Sequence, residues 1–145
     1  MDKYNRTHST GTYLLMRAEH LAVVVACAWM AIRHLAVLNL WHFAIAFIAI
    51  DAVGYLPGLV AYLRRDRGLI DPVFHYLYNV AHSYLTWSVI VLAWAQWSGW
   101  EWAMLAVPIH LSGDRSIFGN VFKPVGRSFE PAPPPAALAS DVVEP

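Results

Sequence analysis

Residues 38–63 read LNLWHFAIAFIAIDAVGYLPGLVAYL, and this stretch decides the fold class. A helix needs about 20 mostly apolar residues to cross the hydrocarbon core of a bilayer, and this segment exceeds that length. Asp51 is its one acidic residue. The stretch predicts a transmembrane helix, because an open sheet edge has no hydrogen-bond partners in lipid and the weak alternation does not support a barrel.

The composition of the whole chain agrees with a lipid environment. Of its 145 residues, 58% are hydrophobic and 14% are charged, and the mean hydropathy is +0.43. Ten Lys and Arg balance ten Asp and Glu, so no basic surplus points to a nucleic-acid partner. The single Cys27 excludes an internal disulfide and a multi-cysteine zinc or iron-sulfur site.

Three further apolar runs predict an all-α, four-helix transmembrane bundle over residues 13–123. The four runs are Tyr13–Ile32, residues 38–63, Val73–Trp97 and one that begins near Trp100. The cleanest part of the fourth run, Trp102–Leu111, is too short to span alone and contains Pro108. We therefore expect it either to continue through Asp114 towards Phe118 or to form a re-entrant helix.

The two ends of the chain differ in composition from this bundle. Residues 1–12 form a polar segment without the apolar core and cleavage site of a secretory signal, so we expect the first span to stay in the mature protein. Residues 124–145 include a Pro/Ala-rich stretch that offers little apolar surface. They predict a flexible cytoplasmic tail that is disordered from Glu130 onward.

The basic residues predict the orientation of the bundle in the plasma (inner) membrane. Loops rich in Lys and Arg stay in the cytoplasm, so the loop at residues 64–67 should face that side. Four spans then place both termini in the cytoplasm, with nine of the ten basic residues inside and only Arg33 outside. Most tryptophans fall at the outer ends of the spans, where amphipathic rings prefer the interface.

Each predicted span carries polar side chains in its cytoplasmic half. They are Glu19 and His20; Asp51 and Tyr55; His75, Asn79 and His82; and His110 and Asp114. A helix advances about 100° per residue, so positions three, four or seven apart share a face. Ionisable groups within spans are costly, face the bundle interior and usually mark a site. The pattern predicts one polar layer where the four helices meet.

Imidazole and carboxylate groups together are the donors of a transition-metal site. We expect His75, His82, His110 and Asp114 to bind one divalent metal ion, which would be zinc, iron or manganese. Asp51 would be a further ligand, would orient a ligand or would activate metal-bound water, and Arg115 would steady an anionic group such as a phosphate. Asp51 and Arg115 are thus the predicted catalytic residues.

Several other functions fit the same residues. The polar layer can serve only to join helices through hydrogen bonds. A haem would need facing histidines, for which His20 and His82 are the candidates, and a proton or ion relay could use the same Asp and His side chains. The multi-histidine boxes of membrane desaturases are absent, and an oxygen-activating di-iron centre of that class would imply about eight histidines where this chain has seven.

Three motifs carry a resemblance to a known family. They are Asp51-Ala-Val-Gly-Tyr55, the run from Tyr78-Asn79 to His82-Ser83-Tyr84, and His110-Leu-Ser-Gly-Asp114-Arg115, followed by a glycine and Lys123-Pro124. The chain resembles an uncharacterised family of small bacterial four-helix integral membrane proteins, from about Glu19 to Lys123. It departs from that family's pattern after Arg115. The resemblance implies the fold and the choice of polar residues, and it implies no reaction.

Two functions follow as hypotheses. The first is a membrane-embedded metal-dependent hydrolase that acts on a lipid-like or amphipathic substrate from the cytoplasmic side. The second is a non-enzymatic accessory or interaction subunit whose polar layer packs helices or meets a partner. The lipid bilayer is the expected partner in both, and four short spans leave room for a homo- or hetero-oligomer.

Overall fold

The computed structural model describes residues 9–130, and all regular structure in that range is helical. The α-helices are α1 (Thr10–Arg33), α2 (Leu40–Gly54), α3 (Leu56–Arg64), α4 (Pro72–Ala81), α5 (Tyr84–Ser98) and α6 (Ala106–Gly113). Short 3₁₀ turns at Leu35–Val37 and Trp102–Leu105 and a π-helical turn at Asp114–Phe118 complete the set. The predictions for residues 1–8 and 131–145 lie outside the described residues.

Two helices are long and apolar enough to cross a membrane: Gly11–Arg33, and Leu40–Arg64, which comprises α2 and α3. The second confirms residues 38–63 as a span-length helix. It deviates at Tyr55, where α2 passes into α3. Pro57 lies in the first turn of α3 and has no N–H for a bond to the preceding turn, which explains the deviation.

The third predicted span is not one continuous helix. α4 ends at Ala81, and α5 begins at Tyr84 with Ser83 as its cap, whose hydroxyl accepts from the Leu85 amide. Side chains satisfy the carbonyls released at this break. Trp87 Nε1 donates to the Ala81 carbonyl at 2.6 Å, and Arg115 donates to the His82 carbonyl at 3.3 Å. The prediction of an unbroken helix over Val73–Trp97 is therefore wrong.

The helical run that begins at Trp102 continues past Asp114 to Phe118, the first of the two alternatives for the fourth apolar run. This run consists of three consecutive segments, which are the 3₁₀ turn at Trp102–Leu105, the helix α6 and the π turn at Asp114–Phe118. Arg17 of α1 donates to the Ser116 and Ile117 carbonyls at 2.6 and 3.2 Å, so it satisfies acceptors that the irregular end leaves open. α1 packs mainly on α6 and this π turn, whereas α2 packs on α4 and α6.

The surface is apolar and the interior contains polar residues. Trp97, Trp41 and Leu85 are 93%, 80% and 77% exposed. The buried polar and charged side chains include His75, His82, His110, Ser112, Arg115 and Ser116. Extensive exposed apolar surface marks a membrane or protein contact, and ionisable groups facing a helix-bundle interior are typical of membrane proteins.

The segment after the π turn packs against the bundle. Gly119 ends the turn with φ of 71°, and the following segment contacts α4, where Lys123 is hydrogen-bonded to Asn79 and Arg127 to His75. Phe129 is 1% exposed in a core with Tyr62, Ile70 and Tyr78. We expected a flexible tail from residue 124, and within residues 124–130 Phe129 is buried in this core while residues 125–127 are exposed. Long-range packing therefore attaches Phe129 to the helical domain.

Candidate metal centre

Four of the predicted site residues meet at one point. Asp51 comes from α2, His82 follows the last turn of α4, and His110 and Asp114 lie four residues apart on α6 and the π turn. One donor atom from each of the four lies within 4.8 Å of the others. This cluster, Asp51-His82-His110-Asp114, is hereafter the His/Asp cluster.

The donor spacing of the His/Asp cluster suits a single metal ion. His82 Nε2 lies 3.3 Å from both Asp51 Oδ1 and Asp114 Oδ2. His110 Nε2 lies 3.6 and 3.7 Å from the same two oxygens. Donors that bind zinc tetrahedrally at about 2.0–2.1 Å are about 3.4 Å from one another. Four of the six donor–donor distances thus match that size to within a few tenths of an ångström, and all six are within 4.8 Å.

The second nitrogen of His82 orients the ring. Its Nδ1 donates to the Tyr78 carbonyl at 3.0 Å, four residues back on α4. The ring also stacks on the Tyr78 side chain, with centroids 3.8 Å apart. A hydrogen bond from the distal nitrogen is the usual way a protein fixes the tautomer of a metal-binding histidine. His82 therefore directs Nε2 at the two carboxylates.

His110 also directs Nε2 at the two carboxylates, but its surroundings differ from those of His82. It is 5% exposed, and neither ring nitrogen has a hydrogen-bond partner among residues 9–130. Buried polar atoms without a partner are rare and need an explanation. Because Nε2 faces Asp51 and Asp114 at distances longer than a hydrogen bond, a cation between the three groups would satisfy it.

The charges of the His/Asp cluster allow two states. Two carboxylates beside two neutral imidazoles carry a charge of about −2, which is costly in an apolar interior unless it is balanced. A divalent metal ion balances it, and so would two protonated imidazoles. The cluster could therefore hold a metal ion, and the alternative is a metal-free ion-pair network.

A half-open cavity of about 220 Å³ gives access to the His/Asp cluster. Asp51 is the cluster member most open to it, with a side chain 46% exposed against 3% for His82. The remaining wall comes from Tyr55 between α2 and α3, from Tyr78 near the end of α4, and from the chain after α6. The lining residues are Asp51, Tyr55, Tyr78, His82, Asp114, Phe118, Asn120, Lys123 and Glu130.

Two other predicted site residues lie elsewhere. His75 is 1% exposed, and its Nε2 donates to the Arg127 carbonyl at 3.1 Å, outside the His/Asp cluster. Arg115 donates to the His82 carbonyl and lies over the Tyr84 ring at 4.5 Å, and it does not line the cavity. The structure therefore does not bring His75 to the cluster or Arg115 to the place where a substrate anion would bind.

The cavity also has a cation and an anion that sequence reasoning did not assign to it. Lys123 Nζ and Glu130 Oε1 form an ion pair at 3.0 Å on the cavity wall. The backbone of Lys123 is fixed by Asn79, which accepts from its amide at 2.7 Å and donates to its carbonyl at 2.9 Å. The sequence signals were Lys123 itself, which belongs to the third motif of the resemblance, and Phe129, an aromatic residue inside the expected tail.

A second polar cluster lies on the opposite side of α6. Ser112 is fully buried, and its hydroxyl is hydrogen-bonded to the Tyr84 hydroxyl and, at 3.2 Å, to His20 Nδ1. These contacts join α1, α5 and α6. Hydrogen bonds of this kind between polar side chains hold helices together in lipid.

The opposite end of the bundle has its own ion pair. His42 Nδ1 donates to Glu101 Oε2 at 2.6 Å, while Trp94 and Ser98 donate to Oε1, each at 3.2 Å. These hydrogen bonds, above all the one from His42, hold the pKa of Glu101 below its ordinary value. Nearby, His34 stacks on Trp102 with centroids 3.6 Å apart. His34 and His42 thus lie away from the metal centre.

No family model matches the chain, and no characterised protein and no solved structure matches it; the resemblance to small bacterial membrane proteins stays a prediction. Function must therefore be inferred from the geometry of the site.

Proposed function

We propose that this chain is a four-span protein of the bacterial inner membrane with a metal-dependent hydrolytic centre. In this arrangement α1, α2 with α3, α4 with α5, and the helical run at residues 102–118 are the four spans. The basic loop at residues 64–67 and both termini lie in the cytoplasm. The apolar exterior and the two span-length helices support the membrane location, and the positions of the basic residues support the orientation.

The observation that carries the proposal is the His/Asp cluster at the wall of an accessible cavity. A structural metal site is usually closed by its ligands, whereas a catalytic site keeps a position open to substrate. Here His82 and His110 are buried, and Asp114 is 18% exposed, while Asp51 faces the cavity. We assign His82, His110 and Asp114 as the ligands of one zinc, iron or manganese ion.

Asp51 has the position of a general base in this scheme. A bound divalent metal would act as a Lewis acid that activates water and polarises the bond to be cleaved. The Asp51 carboxylate would accept the proton of the attacking water, because it borders both the ligands and the cavity. Tyr78 supports the reaction indirectly, since its carbonyl orients the His82 ring.

The surroundings of the cavity suit an amphipathic substrate. Phe118 lines the cavity and is 67% exposed, and Ile117 beside it is 60% exposed. In a bilayer these side chains would contact acyl chains, so a lipid-like molecule could keep its apolar part in the membrane. Its polar group would then enter the cavity from the side of the carboxyl-terminal segment, which this topology places in the cytoplasm.

The competing function is a non-enzymatic accessory subunit. The Ser112, Tyr84 and His20 hydrogen bonds favour it, because they show that this bundle does use buried polar groups to join its helices. In that case the His/Asp cluster would be a metal-free network of the same kind, and the cavity would meet a partner or another copy of the chain.

Metal analysis combined with hydrolysis separates the two functions. Wild-type protein in phosphatidylcholine nanodiscs should contain about one transition metal per chain and should cleave a long-chain p-nitrophenyl ester or bis-p-nitrophenyl phosphate. His82→Ala should lose both metal and hydrolysis, Asp51→Asn should keep metal and lose hydrolysis, and His34→Ala should keep both. Metal-free wild-type protein, or bound metal without hydrolysis of either compound, would favour the accessory subunit.

A further inference from the structure

The cavity beside the His/Asp cluster contains an ion pair between Lys123 and Glu130. Lys123 contacts the Glu130 carboxylate in the way that a receptor lysine would contact an anionic ligand. The Lys123 ammonium donates to Glu130 Oε1 at 3.0 Å and to the Phe129 carbonyl at 2.5 Å. It also lies over the rings of Phe129, Tyr78 and Tyr55, at 4.1, 4.9 and 5.4 Å from the centroids. Aromatic faces favour a cation, so this position stabilises the charged lysine.

We propose that Lys123 is the binding group for the anionic part, a phosphate or a carboxylate, of the amphipathic ligand of this cavity, and that Glu130 occupies that position as an internal competitor. The proposal rests on the proposed function for the identity of the cavity as a substrate site. Beyond that function, the proposal specifies that the substrate is anionic and that Glu130 limits binding of the substrate to Lys123.

The two partners of the ion pair differ in how they are held. The two Asn79 hydrogen bonds fix the Lys123 backbone to α4, and the Lys123 side chain is 13% exposed. The Glu130 side chain is 30% exposed, more than that of Lys123, and it lines the cavity. A ligand anion could therefore replace the Glu130 carboxylate while Lys123 stays in place.

A ligand anion that replaces the Glu130 carboxylate would form the same type of hydrogen bond with Lys123. A carboxylate and a phosphate oxygen accept the same charge-assisted hydrogen bonds from an ammonium group, so one can substitute for the other. Asp51, His82 and Asp114 form another wall of the same cavity. An anion held by Lys123 would thus present an adjoining ester bond to the metal centre.

A purely structural role for the ion pair makes a different prediction. If Lys123 and Glu130 serve only to fasten the carboxyl-terminal segment, neutralising Glu130 should not improve anion binding. Buried Phe129 and the Asn79 contacts already fasten this segment. The effect of Glu130→Gln on anion affinity therefore distinguishes the two roles.

The test measures binding of inorganic phosphate to the full chain in phosphatidylcholine nanodiscs, with zinc and with a chelator. Glu130→Gln should bind phosphate about tenfold more tightly than wild type, Lys123→Gln about tenfold more weakly, and Lys123→Arg about as well as wild type. Arg33→Gln removes a remote positive charge as the matched control and should leave the affinity unchanged. Glu130→Gln binding no more tightly than wild type, or phosphate binding to neither, would overturn the proposal.

Phosphatidic acid added to the nanodiscs distinguishes a lipid headgroup from a free anion. Competition with phosphate in Glu130→Gln supports a lipid ligand, and its absence supports a soluble phosphate compound; both place the anion at Lys123. Zinc content is measured on the same samples. If wild type binds no zinc but the phosphate pattern holds in the chelated samples, the metal-dependent function fails and the Lys123 site stands.

Discussion

Gly54→Ala should damage the metal centre although it changes none of the four donors. Gly54 lies on α2 where that helix crosses the end of α4. A methyl group at this position would lie 2.6 Å from the Ala81 Cβ and 2.9 Å from His82 Nδ1. Both distances are far below the ordinary contact of about 3.5–4.0 Å. α4 and the His82 ring would have to move by about 1 Å.

The expected loss of zinc affinity follows from the small variation that metal–ligand distances allow. Donor distances vary by only about 0.2 Å in a well-formed site, so a shift of about 1 Å in His82 exceeds that tolerance several-fold. The same shift would strain the Nδ1 hydrogen bond to the Tyr78 carbonyl. Loss of such a supporting contact lowers metal affinity by about 10- to 100-fold, and overpacking should lower stability by about 1–3 kcal/mol.

The assay is a zinc competition titration with a chromophoric chelator, accompanied by thermal unfolding. Gly113→Ala is the matched control, because Gly113 lies beside Asp114 in sequence yet a methyl group there meets nothing within 4 Å. That variant should keep wild-type zinc affinity and gain up to about 1 kcal/mol of helix stability. If Gly54→Ala binds zinc as tightly as Gly113→Ala does, the inferred packing of His82 against α2 is refuted.

Three further predictions concern stability and topology. Phe129→Ala should lower the free energy of unfolding by about 3–5 kcal/mol and expose residues 119–130 to proteases while zinc stays bound; wild-type protease resistance would contradict the packing of this segment. Glu101→Gln should lower stability by less than about 1 kcal/mol. Because the pKa of Glu101 is lowered in the fold, its contribution exists above the ordinary glutamate range and disappears as pH falls through the lowered pKa. The melting temperatures of wild type and variant should therefore converge in acid, and a gap that widens would count against the ion pair. Single cysteines at Arg65 and Ser98, introduced with Cys27→Ala, should be labelled from opposite sides of the membrane; labelling from one side contradicts four spans.

The sequence predicted the members of the His/Asp cluster because ionisable residues in apolar helices are rare and conspicuous. Asp51, His82, His110 and Asp114 could be found from their type and from the depth that the topology gave them. His75 was included because it shares a helix face with His82. In the structure, however, the His75 Nε2 donates to the Arg127 carbonyl, a partner 52 residues away that the helix pattern does not indicate.

Features that depend on long-range contacts could not be predicted. The packing of Phe129 into the space above Gly58 and the bonds between Asn79 and Lys123, which are 44 residues apart, leave no periodic pattern in the sequence. The break between α4 and α5 has the same origin. Trp87 and Arg115 satisfy the carbonyls there, and such compensation is visible only in three dimensions.

X-ray absorption spectroscopy of the zinc-loaded wild-type chain tests the metal centre most directly. We expect a first shell at about 2.0–2.1 Å with about two imidazole nitrogens and additional oxygen donors, and without sulfur. The imidazole signal should disappear in a His82→Ala, His110→Ala double variant. A wild-type spectrum without imidazole scattering, or one that the double variant leaves unchanged, would contradict a metal site at the His/Asp cluster.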